Sequence, residues 1–271
     1  MNNANLYSQI QSVLAICSVF FVGACVGSFI TAVAMRTVAE KKWWGSERSA
    51  CDKCGAILKA LDLVPILSFL ILRGKCRYCG APIGRRHLAS ELISSVLASA
   101  LYVRWGFSPA FGVSLLVLWF SLFNSLTDIE NGYIYDVWAV ALGLIGILAR
   151  ISGGLPAVVD GVIGAALGFG FIAIIILVSR GGMGWGDAML MLGVGGAVGW
   201  KFCALSLYTG FMVGGVIVLP LMMAKKLKRK DAIPLGPFLA AGSVMVLFAG
   251  GAMLSRLSAF FGAYHGWPWG L

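Results

Sequence analysis

Two aspartates stand where an apolar chain has little reason to place charge. Asp128 follows the apolar run 111–127, and Asp187 ends the glycine-rich run Gly181-Gly182-Met183-Gly184-Trp185-Gly186. The chain is 59% hydrophobic and carries 11 acidic residues in 271. An ionisable group at the centre of a membrane helix costs roughly 2.5 kcal/mol or more and marks function by default. Two carboxylates at the ends of neighbouring spans can share one proton. One then acts as base on a water and the other as acid toward a carbonyl. Gly184 and Gly186 take side-chain bulk away beside Asp187, so the backbone can pass close to a partner helix or a substrate strand. Three plainer roles compete. Asp128 can be a helix C-terminal or turn residue, and Asp187 can N-cap the next helix. The pair can also bind a cation or relay protons in a transporter. The residues alone leave these readings open.

Four of the seven cysteines form two pairs, Cys51-x-x-Cys54 and Cys76-x-x-Cys79, each followed by a glycine (Gly55, Gly80). A glycine there permits a tight turn that aims both sulfurs at one point. Two such knuckles offer four thiolates in a tetrahedron, the arrangement Zn2+ prefers. The 21-residue connector between them is easily tolerated. Four thiolates leave no open coordination position, so the expected zinc site is structural. The competing reading is four reduced or disulfide-paired cysteines without metal. Cys17, Cys25 and Cys203 lie in apolar stretches and read as small buried hydrophobes.

Other chemistries are poorly supplied. The chain has two histidines, His87 and His265, and no HExxH, which excludes a zinc protease of that type. It has no phosphate-binding or dinucleotide-binding glycine fingerprint. Glu91, four residues after His87, reads either as an ion-pair partner for Arg85 or Arg86 or as a binder of a cationic group.

The elements that must position these residues are membrane helices. Mean hydropathy is +0.90 with 12% charged residues, against about 25% for a soluble domain. The expected class is an all-α polytopic membrane protein of about eight transmembrane helices with a small cytoplasmic zinc-binding module. The spans read as 13–35, 87–104, 111–127, 135–149, 157–179, 187–200, 202–224 and 237–254, most of them near the ~20 residues needed to cross a bilayer. No Lys or Arg precedes the first, and it is too long for a signal-peptide core, so it reads as an uncleaved span. The short patch 63–72 reads as packed or interfacial. Of the 21 Lys and Arg, 12 lie between Arg36 and Arg104 and five more in 225–230. That clustering fits cytoplasmic loops rather than a nucleic-acid face, so no nucleic acid is expected as a partner, and membrane lipid is. Parity then places both termini outside and both aspartates at the cytoplasmic face.

Several motifs in one order complete the reading. They are Gly27-Ser28-Phe29, both cysteine pairs, Pro65-Ile66-Leu67-Ser68, Leu72-Arg73-Gly74-Lys75-Cys76-Arg77, Arg86 with Glu91, both aspartate motifs, and Ile233-Pro234-Leu235-Gly236-Pro237-Phe238. With these the chain resembles the type IV prepilin peptidases, GxGD-type membrane aspartic proteases. The resemblance implies removal of the leader from type IV prepilins or pseudopilins at the cytoplasmic face of a bacterial inner membrane. It also implies N-methylation of the new N-terminal residue with S-adenosylmethionine as donor. By the same resemblance Asp128 and Asp187 are catalytic and Cys51, Cys54, Cys76 and Cys79 bind zinc, while Arg86 and Glu91 belong to the methylation region. Departures include Arg86-His87-Leu88 where the family has Arg-Tyr-Pro, and Ile134-Tyr135 where it has Ile-Pro. The expected organisation is a first helix (1–35), a zinc-binding, methylation-associated module (36–90) and a peptidase domain (91–271). Three rivals stand beside it: a peptidase without methylation, a proton-coupled transporter using the two aspartates, and a zinc-containing assembly scaffold of a secretion machine.

Overall fold

The computed structural model describes residues 3–42, 48–180, 182–226 and 233–256. His265, Gly181 and part of the basic 225–236 loop (227–232) lie outside them. Nine α-helices are present among the described residues: α1 (Asn3–Val38), α2 (Leu67–Ile71), α3 (Arg85–Trp105), α4 (Pro109–Asn131), α5 (Asp136–Ala149), α6 (Gly154–Val178), α7 (Trp185–Val198), α8 (Trp200–Met223) and α9 (Gly236–Arg256). All but α2 fall where the apolar stretches predict a span, and no strand occurs among the described residues. Five stretches are long and apolar enough to cross a membrane: Gln9–Val38, Pro109–Asn131, Asp136–Val178, Trp200–Met223 and Gly236–Arg256. The third, of 43 residues, holds both α5 and α6, turned at Arg150–Gly153. Helix α7 is apolar but has only 14 residues. Helix α3 is long enough, but a row of serines and Glu91 lowers its hydropathy. The whole fits a multi-pass membrane protein.

The chain forms two compact units, Met1–Gly106 and Phe107–Leu271. In the first, α1 packs along α3 through small residues. A Cβ on Gly23 would stand 2.9 Å from the Ser95 backbone, and one on Gly27 would stand 2.7 Å from the Ser90 carbonyl. Ser94 Oγ donates to the Gly23 carbonyl at 2.6 Å, and Thr31 and Ser90 share a hydroxyl hydrogen bond. Small-residue spacing of this kind lets membrane helices touch backbone to backbone.

In the second unit α7 is the buried centre, contacted by α5, α6 and α8. Its glycines make this possible, since a Cβ on Gly195 would overlap the Gly164 carbonyl of α6. One charged cluster holds the end of this bundle where α5 turns into α6. Arg150 is fully buried and donates to Asp160 at 2.6 Å and to the carbonyls of Ala157 and Ala197. Ala197 lies in the last turn of α7, where a cation complements the negative helix end. Removing one partner of a buried pair costs about 3 kcal/mol or more. Asp160 keeps 30% of its side-chain surface open, so Arg150→Met is expected at the low end, near that ~3 kcal/mol. An unfolding titration in detergent should show the loss, and an unchanged midpoint would contradict the assignment.

Candidate active site and metal centre

The second unit brings Asp128, Asp187 and the start of α9 together. Asp128 is one turn from the C-terminus of α4, which ends at Gly132 in the left-handed conformation (φ 71°) with its N–H donating to the Asp128 carbonyl. One Asp128 carboxylate oxygen accepts the N–H of Gly236 at 2.9 Å. Gly236 opens α9, so this N–H is one of the donors a helix N-terminus leaves without an internal partner. The carboxylate therefore sits at the positive end of a second helix. A Cβ on Gly236 would stand 2.7 Å from that same oxygen.

Asp187 is the third residue of α7. The N-cap is Gly184, so the competing N-cap reading of Asp187 is corrected: the aspartate sits three positions later. It stands in the first turn of the helix, where the N-terminal dipole favours a negative group. Its Oδ1 is buried without a hydrogen-bond partner among the described residues, and the charged neighbour its carboxyl senses is Asp128. Both aspartates are nearly buried, at 8% and 7% exposure. A buried carboxylate oxygen without a partner is costly, and a water or a substrate group would supply the missing donor.

The two expected supporting glycines differ. A Cβ on Gly186 would stand 2.7 Å from Ile134 Cβ, whereas one on Gly184 would meet nothing closer than Asp187 Oδ2 at 3.7 Å. Ile134, from the loop after α4, also lies 3.2 Å from where a Gly236 Cβ would be, so it is wedged against both the Asp187 turn and the start of α9. Asn124, buried one turn before Asp128, holds that loop in place. Its side-chain oxygen accepts the Tyr135 N–H at 3.2 Å while its amide donates to the Phe120 carbonyl. Sequence reading did not single out Asn124 or Ile134. A polar residue four positions before an aspartate in an apolar run was the available signal for Asn124.

In the first unit the four cysteines converge. Their sulfurs lie within 4.8 Å of one another, with Cys51 and Cys79 Sγ 3.9 Å apart. Four thiolates around a tetrahedral ion with ~2.3 Å bonds stand about 3.8 Å apart, so the donor set fits a metal ion. The knuckles share one geometry. Gly55 and Gly80 donate back to the carbonyls of Cys51 and Cys76 at positive φ (70° and 69°), and the amides of Cys51 and Cys76 donate to the carbonyls of Ala56 and Ala81. Isolated antiparallel bridges, Ala50 with Ile57 and Lys75 with Pro82, close each turn.

Beside this centre lies a cavity of about 660 Å3 walled by α1, α3 and the segment joining the knuckles. Glu91, buried on α3, lines it and accepts the Ile66 N–H at 2.7 Å, holding Ile66 at a positive φ of 62°. Neither of the two roles weighed for Glu91 foresees this backbone contact. Arg86, on the first turn of α3, places its guanidinium against the Met35 sulfur at 4.0 Å.

The thiols respond unequally to their backbone. Amides of Cys54 and Lys53 pull the Cys51 thiol down to about 6. At Cys79 the Ala81 amide pulls down, but the neighbouring thiols and partial desolvation outweigh it and push the thiol up to about 12. A metal binds thiolates, so loading must expel protons held by groups such as Cys79. Affinity should therefore fall as pH falls, most steeply once Cys51 also takes up its proton below about 6. Titration calorimetry in two buffers of different ionisation enthalpy should register proton release on loading. Cys54→Ser should lose the bound metal at neutral pH. Equal heats in both buffers, or full metal content in that variant, would remove the thiolate assignment.

Comparison with known proteins places these features. The family model described as bacterial peptidase A24 N-terminal domain matches residues 21–105, and that of the type IV leader peptidase family matches residues 115–219. The prepilin leader peptidase/N-methyltransferase of Burkholderia pseudomallei is 31% identical over 261 residues, spanning 84% of this chain and 83% of that protein. The protein of the same name from Bacillus subtilis is 29% identical over 87% of this chain and 95% of its own length. That of Pseudomonas aeruginosa is 28% identical over 89% and 92%. No solved structure matches the chain. With both halves matched in order and a relative 31% identical across most of its length, the chain belongs to the type IV leader peptidase family.

Proposed function

We propose that this chain is a membrane aspartic endopeptidase that removes the leader from type IV prepilins or pseudopilins, with Asp128 and Asp187 as the catalytic pair. The observation that supports it most is the pairing of two buried carboxylates at converging helix ends, one with an oxygen lacking a partner among the described residues. Two like charges so placed favour a state in which they hold one proton between them, and the titration belongs to the pair. The ionised carboxylate takes a proton from a water, and that water attacks the scissile carbonyl carbon. The protonated carboxylate gives its proton to the carbonyl oxygen. Collapse of the tetrahedral intermediate passes a proton to the departing amine, and the pair ends with the one proton it began with. The Gly236 N–H keeps one Asp128 oxygen engaged, so the other is left to face the reaction.

The same reading assigns Zn2+ to the four cysteines, where it supplies a structural crosslink. It gives the relatives' second named activity, N-methylation, to the 36–90 module, with S-adenosylmethionine as donor and Arg86 and Glu91 near its site. Residues 91–271 are assigned to peptide cleavage. The apolar helices and the bacterial relatives support an inner-membrane location, and the charge pattern supports an orientation with the aspartates at the cytoplasmic face, where a basic leader would present its cleavage site, and both termini outside.

The test is cleavage of a prepilin by purified protein with S-adenosylmethionine, read by mass spectrometry. Asp128→Asn and Asp187→Asn should each lose about 10³-fold in cleavage rate while keeping metal and helix content, the scale expected when a proton-transfer group is removed. Retained cleavage in both single variants would sink the pair. Crowding makes a second prediction. Gly186→Ala and Gly236→Ala, which drive a methyl against Ile134 and the Asp128 carboxylate, should lose far more cleavage than Gly184→Ala. Equal rates in all three would mean these glycines do not set the carboxylate geometry.

A further inference from the structure

The segment between the two cysteine knuckles carries an acid, its side chain covered, that neither the metal centre nor the peptidase site uses. Asp62 retains only 3% side-chain exposure. One of its oxygens accepts Arg77 Nε at 2.6 Å, and the other accepts the Tyr78 hydroxyl at 3.3 Å and the Lys59 N–H at 3.1 Å. Arg77 and Tyr78 are the two residues between Cys76 and Cys79. The acid therefore grips the turn that presents two of the four sulfurs.

The same segment is held from the other side. Four residues after Asp62, the Ile66 N–H is taken by Glu91 of α3. Between and beyond these two anchors, Leu63, Ser68, Phe69 and Leu72 line the cavity. The segment returns to the second knuckle through Gly74, whose φ is 69° and which is packed on the Phe69 ring. A stretch of loop and one five-residue helix has too little apolar contact to hold a cavity wall unaided. It needs fixed points, and the polar anchors here are Asp62 on the knuckle and Glu91 on α3.

We propose that Asp62 is a positioning residue that transmits metal occupancy to the cavity wall. With four sulfurs bound, the Cys76–Cys79 turn is rigid, Arg77 and Tyr78 present fixed donors, and Asp62 keeps segment 60–72 closed against α1 and α3. Without metal the turn loosens, the donors disperse, and Glu91 alone holds the wall. Polar partners next to metal ligands orient those ligands, and here the orientation also runs outward to a cavity.

Hydrogen–deuterium exchange of the full-length protein in detergent, read by mass spectrometry with and without Zn2+, tests this. In the wild-type protein, stripping the zinc should speed exchange in 60–72 by about tenfold, the scale of losing charge-assisted hydrogen bonds. In Zn2+-loaded Asp62→Ala the segment should already exchange at the fast rate and no longer respond to stripping, while α1 and α3 exchange as in wild type. Tyr78→Phe should show a smaller change in the same direction. A purely structural role would give Asp62→Ala a segment that is faster overall yet still metal-responsive. That result, or a wild-type segment indifferent to zinc, would overturn the proposal. Should Asp62→Ala fail to retain zinc, Arg77→Gln removes the strongest of the same contacts from a side chain half open to solvent, and the same two outcomes decide.

Discussion

A carboxylate buried among helices needs a positive end beside it, and in this chain helix N-termini supply that end. The Gly236 N–H at the start of α9 meets Asp128, and Asp187 stands in the first turn of α7. Much of the second unit follows from that requirement. Helix α9 must begin beside the C-terminal turn of α4, so its first residue has to be glycine to admit the carboxylate. Helix α7 must begin beside the loop after α4, so Gly186 has to make room for Ile134. The opposite end of α7 is secured by Arg150, whose guanidinium caps the Ala197 carbonyl. A helix fixed at its far end and glycine-lined along its flanks holds its first turn in a defined place, and Asp187 sits in that turn.

The first unit solves a different problem with similar means. Outside α1 and α3 it contains little apolar core, so order comes from point contacts: four sulfurs, the covered Asp62 carboxylate and one buried glutamate. Each ties a short segment to something more rigid. The cavity beside the cysteines is walled by two packed helices, α1 and α3, and by the segment these contacts tie down.

How much was legible in advance depended on the range of the interaction. Helix positions were readable because apolar stretches of near-spanning length are local signals. The cysteine cluster was readable because two CxxCG turns each preset their own geometry, leaving only their meeting to the fold. The aspartates were readable as charge in an apolar context. The glycines were only half readable: Gly184 and Gly186 look alike in sequence, yet only Gly186 has a neighbour, Ile134, that a methyl would strike. Asn124, Ile134, Asp62 and Arg150 were not found, because each acts on a partner that chain order does not announce.

Composition and spacing by themselves determined that this chain is a helical membrane protein, that four thiolates can gather, and that two carboxylates lie at helix ends. Those properties belong to stretches of a few to about twenty residues, and local sequence dictates them through hydropathy and turn chemistry. Tertiary structure alone decided that the N-terminus of α9 supplies the Asp128 donor, that Asp187 keeps an oxygen without a partner, and that Glu91 holds a backbone amide rather than an arginine. Each of those depends on where a helix end arrives relative to a group far away in the chain. That position is set by backbone contacts at glycines and by buried polar anchors acting together, and no single stretch of sequence contains both sides of such a contact.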